Sequence, residues 1–141
     1  MNMDKNIIKY ALILGLLSAI GAFAIDMYLP ALPVLTADLN APVTSAHFTL
    51  TVYFFAFGIS QIFWGPASDM LGRKIPIFLG LGIFIAASVG CAFAQNIETL
   101  IVFRVLQAIG AAGPLSIPRA IIRDLYTGQK ATRLMSTVML V

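Results

Sequence analysis

An all-α membrane protein, with four transmembrane helices and the start of a fifth, is expected from this chain on three grounds. Hydrophobic residues make up 60% of the 141 positions and charged residues 11%, against about 25% charged in a soluble domain. Too few polar side chains remain to cover a water-facing surface. The apolar residues gather into runs long enough to cross a hydrocarbon core, which takes about 20 residues of helix. The basic residues are confined almost wholly to one side of those runs, as the positive-inside rule requires.

The runs cover about 7–28, 46–68, 75–94 and 99–122, and a fifth begins about 134. The chain therefore reads as one partial transmembrane domain over residues 1–141. Helices are required because lipid offers no partner to an open sheet edge. Ala22-Phe23-Ala24 has the small-x-small form of a signal-peptide cleavage site. The long runs that follow make membrane residence independent of that segment. Gly72-Arg73-Lys74 and Gln95 to Glu98 read as short loops, and Pro30 to Ser45 as a longer exposed connection.

With the N-terminus in the cytoplasm, Lys5, Lys9, Arg73, Lys74, Arg119, Arg123, Lys130 and Arg133 all fall on the cytoplasmic side, whereas the outer loops hold only Asp38 and Glu98. This placement accounts for the net charge of +3 without a nucleic-acid partner. Tyr10, Tyr28, Trp64 and Tyr126 lie near helix ends and read as interfacial anchors. Tyr53, Phe54, Phe55 and Phe57 lie deeper, where aromatics either face lipid or line an apolar pocket; Tyr53, Phe57 and the fourth helix's Gln107 are candidate pocket residues. Gly82, Ala86 and Gly90 on the third helix, and Ala108 and Ala112 on the fourth, repeat every four residues and suit close helix packing. Pro114 and Pro118 interrupt the hydrogen-bond ladder of the fourth helix. Cys91 reads as a small packed hydrophobe. The lone His47 lacks the partners a metal site needs, and no cofactor motif is present.

Two charged residues stand inside the spans. Arg104 belongs to the fourth helix, and a central arginine costs about 2.5–3.5 kcal/mol on insertion scales. Either it snorkels toward the outer surface or it serves the transport path. Asp26, at the end of the first helix, lies about 25 Å of helix beyond Lys9, whereas Arg104 lies about 22 Å from Arg119. The two share a depth on antiparallel helices, which makes Asp26 the natural partner for Arg104. Asp26 is either an interfacial carboxylate or a proton carrier, and a cationic drug could use it as counter-charge.

Three motifs carry a family resemblance. Gly65-Pro66-Ala67-Ser68-Asp69-Met70-Leu71-Gly72-Arg73-Lys74 resembles the loop signature G-x-x-x-D-x-x-G-R-K/R of the major facilitator superfamily. Arg104-Val105-Leu106-Gln107-Ala108-Ile109-Gly110 resembles its R-x-x-Q-G-x-G element, with Ala108 in place of the first glycine. Asp26-Met27-Tyr28-Leu29-Pro30-Ala31-Leu32-Pro33, together with Arg123-Asp124-Leu125-Tyr126, resembles the bicyclomycin/chloramphenicol-resistance (Bcr/CflA) family. The resemblance implies the N-terminal part of a six-helix half of a major-facilitator transporter. It also implies a drug:proton antiporter of a bacterial inner membrane, driven by the proton gradient, with no bond chemistry, no cofactor and a missing C-terminal part. Asp26 and Arg104 are then the proton-coupling or substrate residues. Gly65, Asp69, Gly72, Arg73, Lys74 and Asp124 are then the cytoplasmic gate, with Arg73 offering two hydrogen bonds to Asp124. Two alternatives stay open: a proton-coupled metabolite uptake transporter of the same superfamily, and a self-contained four-helix membrane protein.

Overall fold

The computed structural model describes residues 5–126 and 128–139. Among these, α1 spans Lys5–Asp26, α2 Leu32–Asp38, α3 Val43–Met70, α4 Lys74–Ala92, α5 Ile97–Leu125 and α6 Gln129–Met139. Helices α1, α3, α4 and α5 are long and apolar enough to cross a membrane. Their outward faces carry large apolar side chains such as Leu16, Phe55, Phe63, Phe78 and Ile85, as surfaces in contact with lipid do.

The stretch expected as an exposed connection, Pro30 to Ser45, is largely helical. A 3-10 turn occupies Leu29–Ala31 and leads directly into α2. Pro30 and Pro33 each sit in the first turn of their helix, where a missing N–H costs nothing. The actual reversal is confined to residues 39–42, with Asn40 in the left-handed region at φ 48°. Gly72, at φ 78°, makes the tight turn between α3 and α4, a conformation only glycine adopts freely. Helix α6 begins five residues before the expected start near Leu134, because Gly128 at φ 64° opens it. Its first turns are polar, which hid them in a hydropathy reading.

Helix α5 is the hub of the bundle and packs on α1, α3, α4 and α6. Its inner face is built of Ala108, Gly110, Ala111, Ala112 and Gly113, all buried. At the tightest crossing Gly110 meets Gly80 of α4: a Cβ on Gly110 would stand 2.7 Å from the Gly80 carbonyl oxygen, and one on Gly80 2.9 Å from that of Gly110. Of the third-helix row expected to pack, Gly90 alone does so, since a Cβ there would collide with the Phe103 ring of α5. Gly82 and Ala86 are exposed, and the buried row of α4 is Pro76, Gly80 and Ala87. The repeat of small residues was real, but small residues also tolerate lipid, so spacing does not tell which row turns inward. Trp64, expected as an interfacial anchor, donates its indole N–H to the Ile109 carbonyl at 2.8 Å and ties α3 to α5.

Because two backbones and no flexible side chain meet at Gly110, Gly110→Val forces α4 and α5 apart. It is expected to destabilise the bundle by at least about 2 kcal/mol and to lower the membrane level several-fold by immunoblot. Gly82→Ala, whose Cβ would meet nothing within 4 Å, is the matched control and leaves the level unchanged.

Candidate functional site

Three groups of polar residues stand out. The first is at the end of the bundle where α3 passes into α4. Asp69 lies in the last turn of α3 and Arg73 immediately precedes α4. The Gly72 turn swings the guanidinium back over the end of α5. Arg73 Nε and Nη2 both donate to Asp124 Oδ2, at 3.0 and 2.6 Å. Nη2 also pairs with Asp69 Oδ1 at 2.8 Å, and Nη1 donates to Ser68 Oγ at 2.5 Å. Ser68, itself buried, passes its own hydrogen to the Gly65 carbonyl at 2.8 Å. One arginine thus clamps α3, α4 and α5. Its two carboxylates are 59% and 46% exposed, so each pair contributes at most about 1 kcal/mol. Contacts of that size do not by themselves hold the fold.

The second group surrounds Arg104, which is 2% exposed at the core of the bundle. Its guanidinium lies between two tyrosines, 3.8 Å from the Tyr28 ring centre and 4.4 Å from that of Tyr53. Nη1 donates to Gln107 Oε1 at 2.6 Å and approaches the Ala24 carbonyl at 3.4 Å. Gln107 then donates to Ser88 Oγ at 2.8 Å, and Ser88 to the Phe84 carbonyl at 2.7 Å. A polar thread therefore crosses from α5 to α4. Thr49 donates to the Ala46 carbonyl, which leaves Tyr28 as donor in the 2.6 Å bond between the Tyr28 and Thr49 hydroxyls. Tyr28, Ser88, Cys91, Arg104 and Gln107 line a cavity of about 680 Å³. Among the described residues, ion pairs are formed only by Arg73.

The third group is a cavity of about 300 Å³ between α1, α5 and α6, lined by Ser18, Ala22, Asp26, Leu115, Arg119 and Met135 among others. Asp26 is exposed there and makes no ion pair among the described residues.

The sequence itself decides the family. The model of the major facilitator superfamily matches residues 14–141. The chain belongs to the major facilitator superfamily. It is 33% identical over its whole length to a bicyclomycin resistance protein homolog of Haemophilus influenzae and covers 35% of that protein. It is 37% identical, over 84% of its length, to a chloramphenicol resistance protein of Pseudomonas aeruginosa, covering 28% of it. It is 32% identical, over 89% of its length, to multidrug resistance protein D of Escherichia coli, covering 32% of it. The chain thus spans about a third of the length of the curated relatives it matches, and no solved structure matches it.

Within this superfamily member the structure gathers Asp69, Arg73 and Asp124 into one clamp, with Gly65 and Gly72 shaping it and Lys74 exposed beside it. It does not join Asp26 to Arg104. The reason is helical phase. Ile20, Ala24 and, just past the end of α1, Tyr28 line the Arg104 cavity, whereas Ser18, Ala22 and Asp26 line the other, with Phe23 in the wall of both. Shared depth places two residues on one level but leaves their direction around the axis open. The three candidate pocket residues also separate. Gln107 lines the Arg104 cavity. Tyr53 is fully buried beneath the guanidinium, and Phe57 stacks on Tyr53 and packs against Gly21. Tyr28 is no interfacial anchor but one of the two rings that cover Arg104. Ser68, Ser88 and Thr49 escaped the sequence reading, although Ser68 lies inside the loop signature between Gly65 and Asp69.

Proposed function

We propose that this chain forms part of a proton-coupled multidrug efflux transporter of the bacterial inner membrane. The observation that carries the reading is Asp26: a carboxylate on a membrane-spanning helix, open to a cavity between α1, α5 and α6 and without a paired cation among the described residues. An intramembrane carboxylate of this kind is a proton or cation site by default. The names of the relatives, resistance proteins for bicyclomycin, chloramphenicol and multiple drugs, support drugs as the cargo. Proton entry from one side discharges a cationic drug held by the carboxylate, and proton loss to the other side re-arms it. The end of the bundle that bears Lys9, Arg73, Lys74, Arg119, Arg123 and Arg133 faces the cytoplasm on the positive-inside rule, which also sets the N-terminus there.

Everted membrane vesicles from cells expressing the complete gene test the reading. Acidifying the lumen should drive drug accumulation, and a protonophore should abolish it. Metabolite transport without any drug movement under the same gradient would favour the uptake alternative.

On this orientation the Arg73 clamp is a cytoplasmic gate. Gly65 leaves open space beside it, since a Cβ there would meet nothing within 4 Å, and this suits close approach of a helix end from the other half of the transporter. Asp69→Asn removes one exposed contact of three groups, so the protein level should hold. The equilibrium between faces should shift by about twofold to fivefold, equivalent to about 0.5–1 kcal/mol, toward the inward-facing state. Cysteine labelling from the two sides of the membrane reads this shift, and unchanged accessibility on both sides would refute the gate.

A further inference from the structure

We propose that the cavity over Arg104 recognises one negatively charged group, a carboxylate carried on an apolar body, with the guanidinium as its counter-charge. The inference rests on reading the chain as a transporter, but not on proton coupling through Asp26.

Arginine stays charged in proteins and carries five N–H donors. Nη1 spends its hydrogens on Gln107 and the Ala24 carbonyl. Nε and Nη2 are buried and have no hydrogen-bond partner among the described residues. These two nitrogens form the side-on edge of the guanidinium, the fork whose parallel N–H groups match the two oxygens of a carboxylate. A buried cation with its carboxylate-binding edge unfilled is an energetically incomplete arrangement. The Tyr28 and Tyr53 faces offset part of the charge, but a ring face accepts no in-plane fork.

The cavity that Arg104 lines has room for such a ligand. At about 680 Å³ it lies within the range of small-molecule sites. Ile20, Met27, Phe84 and Ala92 supply apolar walls, and Ser88 adds a hydroxyl. Nε and Nη2 are both buried, so a ligand reaches them only when a side chain packed on the guanidinium moves. Tyr53 is fully buried, whereas Tyr28 is only half-buried and lines the cavity itself. Tyr28 is therefore the ring that yields, swinging away from its hydrogen bond with Thr49.

Cys91 lines the same cavity and is the single cysteine of these 141 residues, so it reports occupancy. The protein expressed from its complete gene is placed in lipid nanodiscs, with any cysteine encoded outside these residues replaced by serine. The rate of N-ethylmaleimide modification of Cys91 is measured alone, with 4-phenylbutyrate and with the neutral 4-phenylbutyramide. The carboxylate is expected to slow modification about tenfold, and the amide to need at least a tenfold higher concentration for the same protection, the discrimination of a charge-assisted fork. Arg104→Gln should bring the carboxylate down to the level of the amide. Asp26→Asn should leave carboxylate protection intact even where it abolishes drug efflux, which separates failure of the coupling mechanism from failure of this site. Equal protection by both probes in the unaltered protein would overturn the proposal. So would a Cys91 that no probe protects, or one that never reacts because other helices of the transporter fill the cavity. The comparison of the two probes decides the matter even if Arg104→Gln fails to fold.

Discussion

Asp26→Asn is expected to reduce proton-driven drug efflux at least about a hundredfold while leaving the protein at its normal level in the membrane. Asparagine keeps the shape of the side chain but takes up no proton and carries no charge. The side chain is exposed to its cavity and bonded to nothing among the described residues, so the substitution removes no packing and no ion pair. Surface changes of that kind stay within about 0.5 kcal/mol of neutral. A drop in function of two orders of magnitude corresponds to about 2.8 kcal/mol, far above any such stability effect. Loss of activity can then be read as loss of coupling. The measurement is pH-gradient-driven drug uptake in everted vesicles, normalised to transporter level by immunoblot. Vesicles carrying the Asp26→Asn variant that pump at the normal rate would remove Asp26 from the mechanism and leave Arg119, which lines the same cavity, as the group to test next.

The second large effect is at Arg104, where two replacements should part company. Arg104→Met removes two contacts with aromatic faces, worth up to about 2 kcal/mol each when desolvated, and a charged hydrogen bond worth about 1.5–3 kcal/mol. It also removes a cation whose presence at membrane depth costs about 2.5–3.5 kcal/mol on insertion scales. The substitution also relieves the two buried N–H groups that have no partner among the described residues, each worth about 1–3 kcal/mol, which brings the opposing contributions to similar size. Arg104→Met should therefore accumulate to within about twofold of the normal level and yet fail to confer resistance. Arg104→Lys retains the buried charge but loses the planar stack between Tyr28 and Tyr53 and the forked donors. Its protein level should fall further than that of Arg104→Met, although the substitution is nominally the milder one. Fluorescence-detected size exclusion with parallel drug-susceptibility assays checks both. Resistance restored by lysine would show that a point charge suffices and would discard the role assigned to the fork and the two rings.

The clamp at Arg73 was largely legible beforehand. Its residues form a contiguous signature plus Asp124, and a loop of three residues between two spans leaves Arg73 few places to go. Ser68 was missed because serine at a helix end has many uses, and only the folded turn brings its hydroxyl to 2.5 Å from Nη1. The Arg104 cluster was legible only as one anomalous charge. Its covering residues, Tyr28 and Tyr53, its hydrogen-bond relay through Gln107 and Ser88, and the polar link from Tyr28 to Thr49 draw on two other helices, α3 and α4, and on the turn after α1.

The sequence alone determined that the chain carries runs long and apolar enough to cross a membrane, how its charge is distributed along them and to which superfamily it belongs. Those properties depend on composition, run length and contiguous motifs, all of which are one-dimensional. Tertiary structure alone decided which row of small residues on α4 packs against α5, and that Asp26 and Arg104 occupy separate cavities. In a span nearly every position is apolar, so the contrast between polar and apolar faces that reveals helical phase in a soluble protein is absent. Depth in the membrane survives in the sequence because it is counted in residues. The direction a side chain takes around its helix is set by which neighbour fits closest, and that is settled only when the helices meet.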